Sequence, residues 1–204
     1  MTETPRCLYL DLGRVIIDID PRRFAANMLN LAGVGREQLQ AVFLDEGLAH
    51  RFESGAMTDE EFHQEACRRI GRAISWPDFL SAWNSIILPH TILPEDLVLR
   101  ISRKIPLWAI SNTNSIHFNY IRQHFPILDH FSGFVVSHEV GALKPDPQIF
   151  LAALNKAGVQ AEEALFTDDQ EENVEAARRL GIRTFRFQDP SHFVAELQRR
   201  GILE

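Results

Sequence analysis

The stretch Leu8-Tyr9-Leu10-Asp11-Leu12-Gly13-Arg14-Val15-Ile16-Ile17-Asp18 decides how the chain is read. Leu8-Tyr9-Leu10 is a short apolar strand that ends on a carboxylate, Asp11, and Val15-Ile16-Ile17 follows as a second apolar run. In an open parallel sheet, ligands bind beyond the carboxyl ends of the strands, so an acidic residue in that position is a candidate for chemistry.

From Asp20 to about Ile87 the pattern is helical. Asp20-Pro21 reads as an N-cap followed by proline at the first helical position. Thr58-Asp59-Glu60-Glu61 is a capping box, with Phe62, Ala66 and Ile70 on one helical face behind it. Ser75-Trp76-Pro77-Asp78 starts another helix, whose inner side carries Phe79, Ala82, Trp83 and Ile86. After Pro89 helices and strands alternate. Helices are predicted over 94–104, 115–124, 147–157, 172–180 and 192–200, and strands over 107–110, 133–136, 164–166 and 183–186. Short apolar strands alternating with helices imply a parallel sheet covered on both faces. The first strand precedes the helical block and the others follow it. The expected fold is therefore a doubly wound α/β core, residues 1–17 and 88–204, with a helical cap over 18–87 inserted after the first strand. Inserts of this kind often act as lids.

Composition narrows the function. The chain has 204 residues and a formal net charge of −7, which argues against a nucleic-acid partner, since phosphate backbones need a basic face. Cys7 and Cys67 form no CxxC pattern and suggest neither a disulfide framework nor a zinc site. Met1-Thr2-Glu3-Thr4-Pro5-Arg6 lacks the regions of a signal peptide, and no apolar run approaches the roughly 18 residues of a membrane span. A cytoplasmic protein is expected. Gly-x-Ser-x-Gly, His-Glu-x-x-His and Walker signatures are also absent.

The strand ends supply a consistent set of groups. The first ends in Asp11, the second in Ser111-Asn112-Thr113, the third runs on to Ser137 and then Lys144-Pro145, and the fourth ends in Thr167-Asp168-Asp169. An ionised carboxylate such as Asp11 can attack phosphorus, splitting one hard displacement into two. Magnesium takes oxygen ligands, usually one or two carboxylates beside water and substrate phosphate, which suits Asp11 with Asp168. Lys144 and the metal would offset charge on the phosphoryl oxygens. Ser111 and the amides of Asn112 and Thr113, at a helix start, would hold phosphate oxygens.

These segments carry a specific resemblance. Asp11-Leu12-Gly13-Arg14-Val15-Ile16-Ile17-Asp18 resembles the first motif of the haloacid dehalogenase-like superfamily, and Ser111-Asn112-Thr113 its second. Gly141-Ala142-Leu143-Lys144-Pro145-Asp146-Pro147 is similar to the third, and Phe166-Thr167-Asp168-Asp169, through Asn173 and Ala176-Ala177, to the fourth. Order and spacing agree over nearly the whole chain, including the cap position. The resemblance implies a Rossmann-like core, with Asp11 as nucleophile and magnesium ligand. It implies that Ser111 binds the transferring phosphoryl group and that Lys144 neutralises both nucleophile and phosphate. Asp168 would bind the metal, Asp169 would support it directly or through water, and Gly13 would offer its backbone carbonyl.

Gly13 is also the departure that matters. Most phosphatases of the superfamily have an aspartate there, acting as general acid and then base, a role worth about 10² to 10⁴ in rate. The expected activity is magnesium-dependent hydrolysis of a small phosphorylated metabolite. A sugar 1-phosphate is favoured because its anomeric hydroxyl leaves readily, and the Asp-Leu-Gly form resembles a bacterial branch that includes α-glucose-1-phosphate phosphatases. The alternatives are a 2-haloacid dehalogenase, against which the Asp168-Asp169 pair counts, and a non-catalytic binder of phosphometabolites or proteins. Asp20 is better read as a helix cap than as a replacement acid, and Asp18 is a weak candidate. His50, Arg51 and Glu53, before the turn Ser54-Gly55, either select substrate or form an exposed polar turn. Trp83 fits a packed core, Asn84 shares its helix, and His117, His124 and His130 show no metal-ligand spacing.

Overall fold

The computed structural model describes residues 4–45 and 47–204; the first three residues of the Met1–Arg6 segment read above lie outside the described residues. Strand β1 (Cys7–Leu10) is buried along its whole length, which explains its unbroken apolar run. Its side chains alternate between two cores. Leu8 and Leu10 pack with Leu97, Ile101, Phe193 and Leu197, while Cys7 and Tyr9 pack with Ile149, Phe150 and Ala177 on the opposite face. The Tyr9 hydroxyl is buried but satisfied, donating to the Ala153 carbonyl at 2.8 Å.

The chain then leaves the sheet through β2 (Ile17–Ile19), which pairs antiparallel with β3 (Ile87–Thr91) as a two-stranded ribbon. The run Val15-Ile16-Ile17 is therefore not a strand as a whole: Val15 and Ile16 sit buried in a turn, and pairing starts at Ile17. Between β2 and β3 lie α1 (Pro21–Ala32), α2 (Arg36–Gln40), a π-helical turn (Ala41–Asp45), α3 (Leu48–Glu53), α4 (Asp59–Ile70) and α5 (Trp76–Asn84). Local signals set these starts. Asp20 caps α1 through the Arg22 amide, Thr58 and Glu61 form the capping box of α4, and Ser75 caps α5. The block has its own aromatic core, with Phe52 and Phe62 stacked at 4.1 Å between centroids and Trp83 against both.

After β3 the chain runs through α6 (Glu95–Ser102), β4 (Leu107–Ser111), α7 (Ser115–His124), β5 (Gly133–Val136) and the short α8 (Ser137–Val140). It ends with α9 (Pro147–Ala157), β6 (Ala164–Asp168), α10 (Glu171–Arg179), β7 (Arg183–Arg186) and α11 (Pro190–Arg199). The sheet order is β5-β4-β1-β6-β7, all parallel. Beginning at the central strand and winding outward both ways makes this a doubly wound sheet, whose ligand crevice lies where the order reverses. No helix among the described residues is long and apolar enough to cross a membrane.

The helical block sits directly on the strand-end side of the sheet. Ile116 of α7 belongs to the block's hydrophobic cluster, and the Ser115 hydroxyl donates to Asp59 at the start of α4. Gly55, at φ +71°, passes so close to α8 that a Cβ there would collide with the His138 carbonyl oxygen. Gly71 has a similar φ of +78°, but nothing stands in the way of a Cβ. Gly71→Ala should therefore cost about 1–2 kcal/mol, the left-handed penalty alone, whereas Gly55→Ala should cost more, because the seat of the block on α8 must also shift. Urea unfolding of both variants checks this; equal midpoints would show that the contact carries no stability.

Candidate active site

Three strands deliver the central groups. β1 leads into Asp11, β4 on one side of it ends in Ser111, and β6 on the other ends in Asp168. Lys144 arrives from the loop after α8, and its ammonium bridges the two carboxylates, 2.8 Å from Asp11 Oδ1 and 2.6 Å from Asp168 Oδ2. It is 5% exposed, so it is no solvated loop lysine. Asp169 lies beside them, and Asp11, Asp168 and Asp169 bring carboxylate oxygens within 4.8 Å of one another.

Each member is held from behind. The Leu12 amide donates to Asp11 Oδ1 at 2.7 Å. Asp168 accepts from the Gln170 amide at 2.8 Å and from Asn173 Nδ2 at 3.0 and 3.1 Å, so it anchors the start of α10 as well as the site. The Asn112 side chain clamps the Lys144 backbone, donating to its carbonyl at 2.8 Å and accepting from its amide at 2.7 Å. Arg14, in the left-handed region at φ 59°, stands 3.9 Å from Asp169.

Burial dominates the electrostatics of these groups. Burial pushes the Asp11 carboxyl up to about 7; Lys144 opposes this and Asp168 reinforces it. Burial and Asp168 likewise raise Asp169, with Arg14 and Lys144 opposing. Burial alone would lower Lys144, but Asp11 and Asp168 outweigh it and the net shift is upward, so the ammonium is retained.

Beside these groups opens a cavity of about 480 Å³ beneath the helical block. Gly13, Ser111, Asn112 and Thr113 line its floor, with Phe43, Glu53 and Trp83 among its walls. Ser111 is buried where the sequence placed it. Thr113 differs from expectation: its amide donates to Ser137 Oγ at 2.9 Å, because α7 begins two residues later behind its own cap, Asn114. Asp20 is confined to its cap and to Arg22, and Asp18 to His90 at 2.9 Å; neither lines the cavity.

A network at the cavity's edge has no motif in the sequence. Asn114 Oδ1 accepts from the Trp83 indole at 3.3 Å and from the His117 amide at 3.0 Å, and its Nδ2 lies 3.1 Å from His117 Nδ1. His117 Nε2 faces the Trp83 carbonyl at 2.9 Å. A carbonyl only accepts and an amide nitrogen only donates, so these partners assign His117 as neutral with its proton on Nε2. The spacing Asn-x-x-His at a helix start was the available signal, but its partner is distant in sequence.

Comparison with known proteins fixes the family. A sequence profile described as haloacid dehalogenase-like hydrolase matches residues 95–181. A solved HAD-family enzyme from Bacteroides thetaiotaomicron is 30% identical and superposes with a TM-score of 0.84, covering 94% of this chain and 98% of that one. The chain belongs to the haloacid dehalogenase-like hydrolases. The Bacteroides enzyme has also been solved with magnesium and inorganic phosphate, at a TM-score of 0.81 and 30% identity over 93% of this chain and 98% of that one. A D-ribitol-5-phosphate phosphatase of Bacteroides thetaiotaomicron is 23% identical over 196 residues, 93% of this chain and 95% of that protein.

The histidine of this hydrolase has a measurable consequence. Burial holds His117 down at about 4 against an ordinary value of 6.5. Between those values the unfolded chain takes a proton that the folded chain refuses, so this contribution to stability falls as pH falls, by about 1.4 kcal/mol per pH unit. Asp11 and Glu53, both raised to about 7, act in the opposite sense and are common to any His117 variant. The unfolding free energy of the wild type minus that of His117→Gln should therefore decline from pH 6.5 to 4. A difference that stays flat would show that His117 is not held neutral.

Proposed function

We propose that this chain is a magnesium-dependent phosphatase of small phosphate monoesters, working through an aspartyl-phosphate on Asp11. The observation that carries the reading is the buried Lys144 ammonium bridging Asp11 and Asp168, with Asp169 adjacent. Three carboxylates meet one buried ammonium and the half-exposed Arg14 guanidinium, which leaves positive charge short, and hard oxygen donors in that arrangement fit a divalent cation. Asp11, Asp168 and the Gly13 carbonyl would hold it, with Asp169 directly or through water. When bound, magnesium supplies the positive charge that lets an anionic nucleophile approach an anionic phosphate.

The chain's own groups do the rest. Lys144 and the Leu12 amide orient the Asp11 carboxylate and hold it in one place. Ser111 receives the phosphoryl group at the floor of the cavity, and the cavity receives the rest of the substrate. The helical block above acts as the cap, residues 18–87, and shields the site from water. A phosphorylated sugar or polyol is the substrate class this supports, in keeping with the D-ribitol-5-phosphate phosphatase that the chain resembles over nearly its full length. A sugar 1-phosphate is favoured where nothing replaces the acid missing at Gly13. Two unpaired cysteines, Cys7 and Cys67, suit a reducing cytoplasm.

Phosphate release from a panel of sugar and polyol phosphates, with magnesium, tests the reading. Asp11→Asn should lower release by more than about 10³-fold, since it removes the nucleophile, and full chelation should abolish it in the wild type. Release that survives chelation, or that Asp11→Asn leaves intact, would sink the assignment.

A further inference from the structure

Glu53 is the last residue of α3, two positions before Gly55, where the cap loop touches the His138 carbonyl. His138 in turn has its ring nitrogen Nδ1 3.1 Å from the Thr113 carbonyl, on the loop that follows β4. The contact therefore seats this end of α3 over the strand ends, and Glu53 lines the same cavity as Gly13 and Ser111. Most of the surrounding wall is apolar: Leu12, Phe24, Leu39, Phe43 and Trp83. Among the described residues, the charged or titratable groups that share the cavity with Glu53 are Arg22 on α1, Arg36 on α2 and His117 on α7, and α8 brings His138 up to the loop. Arg22 is engaged by Asp20, and His117 by Trp83 and Asn114.

We propose that Glu53 is the proton donor to the leaving group and then the base for water, in place of the aspartate missing at position 13. This rests on the phosphatase reading above. As an Asp11 oxygen bonds to phosphorus, the bond from phosphorus to the ester oxygen breaks and its electron pair stays on that oxygen. The Glu53 carboxyl proton passes to it, releasing a neutral alcohol and leaving Glu53 ionised. A water then attacks the phosphorus and gives a proton to Glu53. The bond between phosphorus and Asp11 breaks, which frees inorganic phosphate and restores both carboxyl groups. Burial alone pushes the Glu53 carboxyl up to about 7, so both of its protonation states are available near neutral pH. With this acid in the cavity, esters of ordinary alcohols join anomeric phosphates as competent substrates.

The test compares kcat/KM for an alkyl phosphate, whose alcohol needs a proton to leave, with that for p-nitrophenyl phosphate, whose phenolate does not. This constant reads only the steps through departure of the leaving group. Glu53→Gln should lower it by about 10² to 10⁴-fold for the alkyl ester and by far less for p-nitrophenyl phosphate. Gly13→Asp should fit, because a Cβ at Gly13 meets only Ile19 Cδ1 at 3.6 Å. In the wild type that substitution should raise the alkyl-ester rate less than about tenfold, since an acid is already present. Equal losses for the two esters in Glu53→Gln would make Glu53 a binding group and overturn the proposal, as would no loss at all. A gain of about 10²-fold from Gly13→Asp alone would do the same, since it would show that no acid was there. A wild type with magnesium that hydrolyses neither ester would instead overturn the phosphatase reading, and this assignment with it.

Discussion

The Lys144 ammonium between Asp11 and Asp168 is the interaction around which the molecule is arranged. Taking a charge out of water costs several kcal/mol even after relaxation, and only close opposite charges and hydrogen bonds offset it. Here the offset is incomplete by design. Three carboxylates share one buried ammonium, and burial, reinforced by Asp168, still holds Asp11 and Asp169 above their ordinary values. A fold that served only stability would replace such a cluster with apolar side chains. A fold that must accept a cation and a phosphate keeps it, at the carboxyl ends of the central strands.

That constraint propagates outward through the backbone. Lys144 reaches two strands at once because Asn112 fixes its main chain to the end of β4 on both its N–H and C=O sides. Asp168 stays in place because α10 begins on it: one carboxylate serves as helix anchor, lysine partner and candidate metal ligand. Anchoring the helix and binding a metal are compatible tasks for Asp168, since its two oxygens have capacity for both. Central placement of β1 follows the same logic. Only a strand with neighbours on both sides can receive Ser111 from one and Asp168 from the other.

Much of this is legible in the sequence. α7, β5, α9 and β7 fall on their predicted residues because each is bounded by a strong local signal, such as the cap Asn114, the Asp146-Pro147 start or the Gly158 stop. The groups at the strand ends were legible because a carboxylate directly after an apolar run is rare without a reason. Pairing at a distance was not legible. β3 has two exposed residues, Pro89 and His90, so nothing in its own composition announces a strand; it exists because Ile87 and Thr91 pair with β2. The Thr113 amide looked free for a phosphate because its partner, Ser137, lies 24 residues away. The same holds for the bond from Trp83 to Asn114, which spans 31 positions.

That last bond shows how the helical block and the sheet are made one unit. Trp83 belongs to the aromatic cluster of the block, yet its indole N–H and its carbonyl are both satisfied by residues at the start of α7, directly after Thr113. Withdrawing the block would exchange these bonds for bonds to water, a net loss of about 0.5–1.5 kcal/mol each. Glu53 has the opposite character. It is held largely away from water with only burial acting on its pKa, so its ionised form costs stability. The block is thus latched at Trp83 and penalised at Glu53, two opposed terms of a few kcal/mol on the same body.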